Sequence, residues 1–120
     1  MRRRTIIAAA LVLPVTSRAQ SWAPDRAIRI IVPYTAGGAS DITARLVADR
    51  LRARLGQPGV VENRAGASGV IGTEAVAKAA PDGHMLALVA SSHVVNRALF
   101  PSLPFDPISD FAPVVMTAQV

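Results

Sequence analysis

Apolar and polar positions fall into blocks along this chain, and the sharpest block is Arg29 to Leu46, RIIVPYTAGGASDITARL. Ile30, Ile31 and Val32 stand in succession with no polar interruption, which predicts a strand around Ile28 to Pro33 that is covered on both faces. Pro33 ends it. Past a glycine turn, Ile42, Leu46, Val47, Leu51 and Leu55 recur near helical spacing, with Arg45, Asp49, Arg52 and Arg54 mostly elsewhere. This predicts a helix from about Ser40 to Leu55, with Gly56 as its stop. Val60 and Val61 mark a second short strand running toward Asn63, and Gly66, Gly69 and Gly72 surround the start of a second helix that reaches about Ala79. Pro81, Asp82 and Gly83 form a turn that hands the chain to a third strand, Met85 to Ala90. Strand, helix, strand, helix, strand predicts an α/β fold with a parallel sheet and right-handed crossovers.

From Ser91 the pattern changes to a polar loop, Ser91, Ser92 and His93, then a short apolar piece through Phe100. Prolines 101, 104, 107 and 113 keep the next segment extended or turning, and Val114 to Val120 reads as a fourth strand. The sequence breaks off inside that strand, so it reads as interrupted rather than finished.

Composition changes the picture mainly at the N-terminus. Arg2, Arg3 and Arg4, the apolar run Ile6 to Val15, and the small residues Ser17 and Ala19 have the order of an export signal, so residues 1–19 are expected to be cleaved and residues 20–120 to form the exported part. The run is too short for a settled transmembrane helix. Arg3 and Arg4 also leave a twin-arginine route open. Removing the segment takes four of the 13 basic residues and none of the 8 acidic ones, leaving a net charge of +1. A basic overall balance therefore says little about nucleic acid, and with aromatics at 4% there is no basic stripe with interleaved rings. Nucleic acid is not an expected partner. The absence of cysteine excludes disulfides and thiolate metal sites, leaving stability to packing.

The candidate chemistry is anion binding. Gly37 and Gly38 allow close approach to main-chain N–H groups, Ser40 is expected as the N-cap, and Asp41 falls in the first helical turn. The unpaired N–H groups at such a helix start attract carboxylate or phosphate. Asp41 would repel an anion, so it either caps the loop or faces a ligand amino group. Ser91, Ser92 and His93 follow the third strand, at the carboxyl end of a parallel sheet where ligands bind. His93 alone reads more simply as a packing residue, and His84, beside a turn, as structural. Gly66, Gly69 and Gly72 are spaced GxxGxxG, not the dinucleotide GxGxxG with an acid about 20 residues on, and close helix-to-sheet packing explains them. There is no GK[ST], HExxH or GxSxG, and the acids Glu62, Asp82, Asp106 and Asp110 are scattered among turns. No enzyme, metal or cofactor is expected.

Four blocks in order, IIVPYTAGGASDITARL, VVENRAGASGVIGTEAVAKA (Val60 to Ala79), PDGHMLAL (Pro81 to Leu88) and NRALFPSLPFDPISDFAPV (Asn96 to Val114), resemble the Bug-type solute-binding proteins of tripartite tricarboxylate transporters. The resemblance implies a two-lobed fold like that of type II periplasmic binding proteins, this chain giving part of the first lobe and the start of the crossover to the second. It implies a periplasmic protein that captures a small organic carboxylate and delivers it to membrane permease subunits. Tyr34, Thr35, Ala36, Gly37, Gly38, Ser40 and Asp41 in the first loop and Ser91, Ser92 and His93 in the second are the expected ligand-binding residues. Met85, and Ala90 to Ser92, depart from the family pattern; the latter put the ligand's identity in doubt more than the fold. Two other readings remain at this point: a truncated, non-functional piece of such a protein, and an exported enzyme on a Rossmann-like sheet.

Overall fold

The computed structural model describes residues 21–118, so the export-signal expectation for residues 1–19 lies outside the described residues. The elements are β1 (Ile28–Val32), α1 (Ala39–Leu55), β2 (Gly59–Asn63), α2 (Val70–Ala77), β3 (Met85–Ala87) and α3 (Ser92–Leu99). All strand pairs are parallel and the order is β2-β1-β3, which puts the most apolar strand in the centre. Ile28, Ile30, Ile31 and Val32 are each at most 2% exposed, as a strand covered on both faces requires.

Alternate residues of β1 point to opposite faces. Ile30 and Val32 pack with Ala44 and Ala48 of α1, flanked by Val47, Leu51 and Val61. The other face receives α2, where Gly72 lies so close that a Cβ there would sit 2.7 Å from the Arg64 carbonyl oxygen and 2.8 Å from Pro33 Cβ. The close-packing reading of that glycine holds. α1 ends as expected at Gly56, whose amide donates to the Arg52 carbonyl at 3.0 Å. The lead-in to β1 is pinned at the opposite end of the sheet: Trp22 Nε1 donates to the Asp82 carbonyl at 3.0 Å, and its ring lies 5.7 Å from that of His84.

Three expectations are corrected. β3 stops at Ala87 rather than Ala90. Arg29 N–H donates to His84 and Leu88 N–H to Ile31 across this pair, and the next β1 position in the ladder is Pro33, which has no N–H to give. Ser91 to His93 is not a loop, because Ser92 and His93 open α3. Its buried residue is polar Asn96, while Val94, Val95 and Leu99 are exposed, so hydrophobic periodicity points the wrong way for this helix. The fourth strand is absent from residues 114–118, where Val114, Val115 and Met116 are 75–78% exposed. Strand propensity expresses itself only against a neighbour, and this segment has no strand partner among the described residues.

Gly72→Ala tests the close approach. Alanine favours a helix over glycine by up to about 1 kcal/mol, but here it would press on backbone that cannot yield. A net destabilisation of about 1–3 kcal/mol is expected in a urea titration.

Candidate functional site

The chain crosses from β1 to β2 on one side of the sheet and returns past β1 to β3 on the other. The carboxyl ends of β1 and β3 therefore flank a point where the winding direction reverses, which is where open α/β sheets form a crevice. Three connections meet there: residues 33–38, residues 64–69 and residues 88–91.

In the first, Thr35, Ala36, Gly37 and Gly38 are exposed and Tyr34 is half-buried. Gly37 has φ 85°, which an L side chain rarely adopts. The N-cap is Gly38 in an extended conformation, with no side-chain cap, and Ile42 N–H closes the first turn on the Gly38 carbonyl at 3.0 Å. Ser40 is thus not the cap. It is the second helical residue, because the extended backbone at Gly38 lets the helix start earlier. The amides at the start of α1 receive no side-chain oxygen.

Asp41 turns into the loop instead of toward solvent and is 4% exposed. Its Oδ2 accepts the Gly37 amide at 2.9 Å and Arg45 Nε at 3.1 Å, and Arg45 Nη2 lies 3.1 Å from Oδ1. The Gly37 amide first, and Arg45 next, hold this carboxyl below the usual aspartate range. Of the two roles the sequence leaves open, the structure assigns loop capping. The Arg45 charge offsets that of Asp41 at the start of α1.

Tyr34 ties this loop to the third connection. Its hydroxyl accepts the Ala90 amide at 3.0 Å and lies 2.9 Å from Ser92 Oγ, to which it is free to donate its own proton. Its carbonyl accepts Asn63 Nδ2 at 3.3 Å. Ser91 is exposed beside this pair, with no side-chain cap on α3. His93 is drawn elsewhere. Its Nε2 lies 2.8 Å from the Pro107 carbonyl, so that nitrogen carries the proton. Its ring stacks on Phe105 at 6.2 Å and meets Phe111 edge-on at 5.0 Å. The structure therefore joins Tyr34 to Ala90 and Ser92, leaves the 35–38 turn and Ser91 as their exposed chain neighbours, and places His93 in an aromatic cluster.

Sequence reasoning missed the second connection. Ala67 and Ser68 both have positive φ, 46° and 56°, followed by Gly69 at 90°. The turn closes through Gly69 N–H on the Gly66 carbonyl at 2.9 Å, and a Cβ on Gly69 would sit 3.5 Å from Tyr34 Cε1. Asn96, 3% exposed, donates Nδ2 to the Ser68 carbonyl at 2.9 Å. The spacing of Gly66 and Gly69 signalled a special backbone, but nothing local marked Asn96 as its partner.

A parallel α/β lobe with an uncapped helix start at its switch point has the architecture of a ligand-binding α/β domain. Residues 43–120 match the family described as tripartite tricarboxylate transporter family receptor. The chain belongs to that family. It is 50% identical over 99 residues to protein BugT of Bordetella pertussis, covering 81% of this chain and 30% of BugT. Among solved structures, periplasmic binding protein BugD is similar at 39% identity and a TM-score of 0.72, over 75% of this chain and 30% of that one. MatC from Rhodopseudomonas palustris, solved with bound malate, is similar at 43% identity and a TM-score of 0.70, over 76% of this chain and 31% of that one. The fold is that of part of a periplasmic solute-binding protein, and the chain spans 30–36% of the length of its curated relatives.

Because Asp41 titrates below the usual aspartate range, its ionisation is coupled to folding. A carboxyl that titrates lower in the folded state contributes stability that is present above its unfolded value of about 4 and is lost as pH falls through the folded one. Asp41→Asn is expected to lower the melting temperature at pH 7 and to flatten its fall below about pH 4. Thermal unfolding of both proteins from pH 7 to pH 2.5 checks this; parallel curves would show that Asp41 contributes nothing.

Proposed function

We propose that this chain is the carboxylate-gripping part of the first lobe of an exported receptor for a small organic acid. In this reading the amides of Gly38 to Asp41 take one carboxylate of the ligand, and the Tyr34 hydroxyl, Thr35, Ser40, Ser91 and Ser92 surround it with polar groups. The observation that carries the reading is the uncapped start of α1, at the switch point of the sheet, beside an aspartate already neutralised by Arg45. Donors there are oriented without having been satisfied, which suits an anion. Asp41 and His93 act as supports, one inside the loop and one on the inner side of α3. Relatives that are solute-binding receptors, among them one solved with malate, support a di- or tricarboxylate as the ligand class. The receptor hands that ligand to membrane permease subunits, as the family description implies.

Gly38→Val is the direct test, in the intact protein. Gly38 has φ −80°, and a Cβ there would meet only the Thr35 carbonyl oxygen, at 3.7 Å, so the fold is expected to tolerate the change. The branched side chain would stand in front of the helix amides. Losing one charge-assisted hydrogen bond of about 1.5–3 kcal/mol weakens binding about tenfold to a hundredfold. Calorimetric titration with malate, succinate and citrate reads it, and unchanged affinity in a folded variant removes this loop from the site.

The export half of the proposal places the mature N-terminus at Gln20, after the small residues Ser17 and Ala19. N-terminal sequencing of periplasmic material is expected to begin there. Exported protein that still starts at Met1 would refute cleavage.

A further inference from the structure

We infer that Asn96 is a positioning residue of the ligand site, holding the strained Ala67–Gly69 turn in its receptive shape from across the cluster; this rests on the receptor reading above. Ser92 and Asn96 are four residues apart and share one face of α3. Ser92 Oγ reaches the Tyr34 hydroxyl at 2.9 Å and Asn96 Nδ2 reaches the Ser68 carbonyl at 2.9 Å. One helical face thus fixes two binding connections relative to each other. It does so with polar groups, since Val94, Val95 and Leu99 are exposed.

Stability alone does not account for asparagine at this position. The residue is 3% exposed, and its Oδ1 accepts no hydrogen bond among the described residues. A buried acceptor without a partner is costly, and leucine would fill the same space without that penalty. What leucine could not do is hold the Ser68 carbonyl. Ala67 and Ser68, at φ 46° and 56°, occupy left-handed backbone that residues with a Cβ rarely adopt, and such a turn persists only when its surroundings fix it. Gly69 backs onto Pro33 and Tyr34, where a Cβ would come within 3.4–3.5 Å of both, so the turn has little room to shift without meeting the first loop. A turn already held in place does not have to be ordered when the ligand arrives, and that raises affinity without adding a ligand contact.

The test compares wild type, Asn96→Leu and Asn96→Leu/Ser68→Gly in the intact protein. It uses calorimetry with malate, succinate and citrate, thermal unfolding without ligand, and hydrogen exchange at the Gly69 amide. Asn96→Leu is expected to melt close to wild type, to bind about tenfold more weakly, and to exchange Gly69 faster. Ser68→Gly in that background removes the Cβ from left-handed backbone and is expected to recover affinity. Wild-type affinity in folded Asn96→Leu, or a loss that only follows the unfolded fraction, overturns the inference. If wild type binds none of the three acids, the receptor reading itself fails. Gly69 exchange then decides the latch alone, and unchanged exchange in Asn96→Leu overturns it.

Discussion

β1 is hydrogen-bonded on both sides and buried on both faces, and its pairing with β3 ends at the carboxyl end because Pro33 brings no N–H to the ladder. That missing donor releases β3 after Ala87 and frees the Ala90 amide to find the Tyr34 hydroxyl. Where the central strand stops therefore sets where the β1–α1 and β3–α3 connections diverge. Gly72 carries the same logic to the other face, since only a residue without a side chain lets α2 approach Pro33 so closely.

In the proposed receptor reading, the corner at α1 must also keep its own anions from competing with a ligand. Asp41 lies at the start of α1, where its charge would stand among the free helix amides, and it is instead folded back on the Gly37 amide and paired with Arg45. Glu62 is treated alike near the end of β2. Arg29 grips it through Nε at 2.5 Å and Nη2 at 2.8 Å, Arg64 adds Nη2 at 3.1 Å, and its carboxyl is held low by Arg29 first. Half-exposed pairs of this kind contribute little to global stability. Their effect here is local, fixing side chains and cancelling charge near the carboxyl ends of the strands.

α3 joins the lobe in an unusual way for a short helix. Its inward positions are Ser92, His93 and Asn96, each engaged by one directional partner: a phenol, a proline carbonyl and a serine carbonyl. Polar contacts of this kind set orientation more sharply than apolar packing, which is non-directional. The segment that follows is held by the same helix, because Arg97 pairs with Asp106 at 3.2 Å and His93 packs on Phe105 and Phe111.

The sequence by itself determined the α/β class, the strands β1 and β2, the extent of α1 to within a residue, and the glycine corner between β1 and α1. These rest on local rules: an unbroken apolar run, a helical repeat, and glycine or proline where the backbone must turn or stop. The four-block resemblance was enough to point to the family. Tertiary structure alone decided that Gly38 rather than Ser40 caps α1, that Asp41 faces inward, and that α3 is a helix at all, since its buried face is polar. It also decided that residues 114–118 find no strand partner among the described residues, and that Asn63, Ser68 and Asn96 are bonded to the turns around Tyr34. Asp41 turns in on partners only four residues away, Gly37 and Arg45, a fold-back that the helical pattern leaves open. The Asn96–Ser68 and Asn63–Tyr34 bonds join residues 28 or more apart, and no local pattern records them.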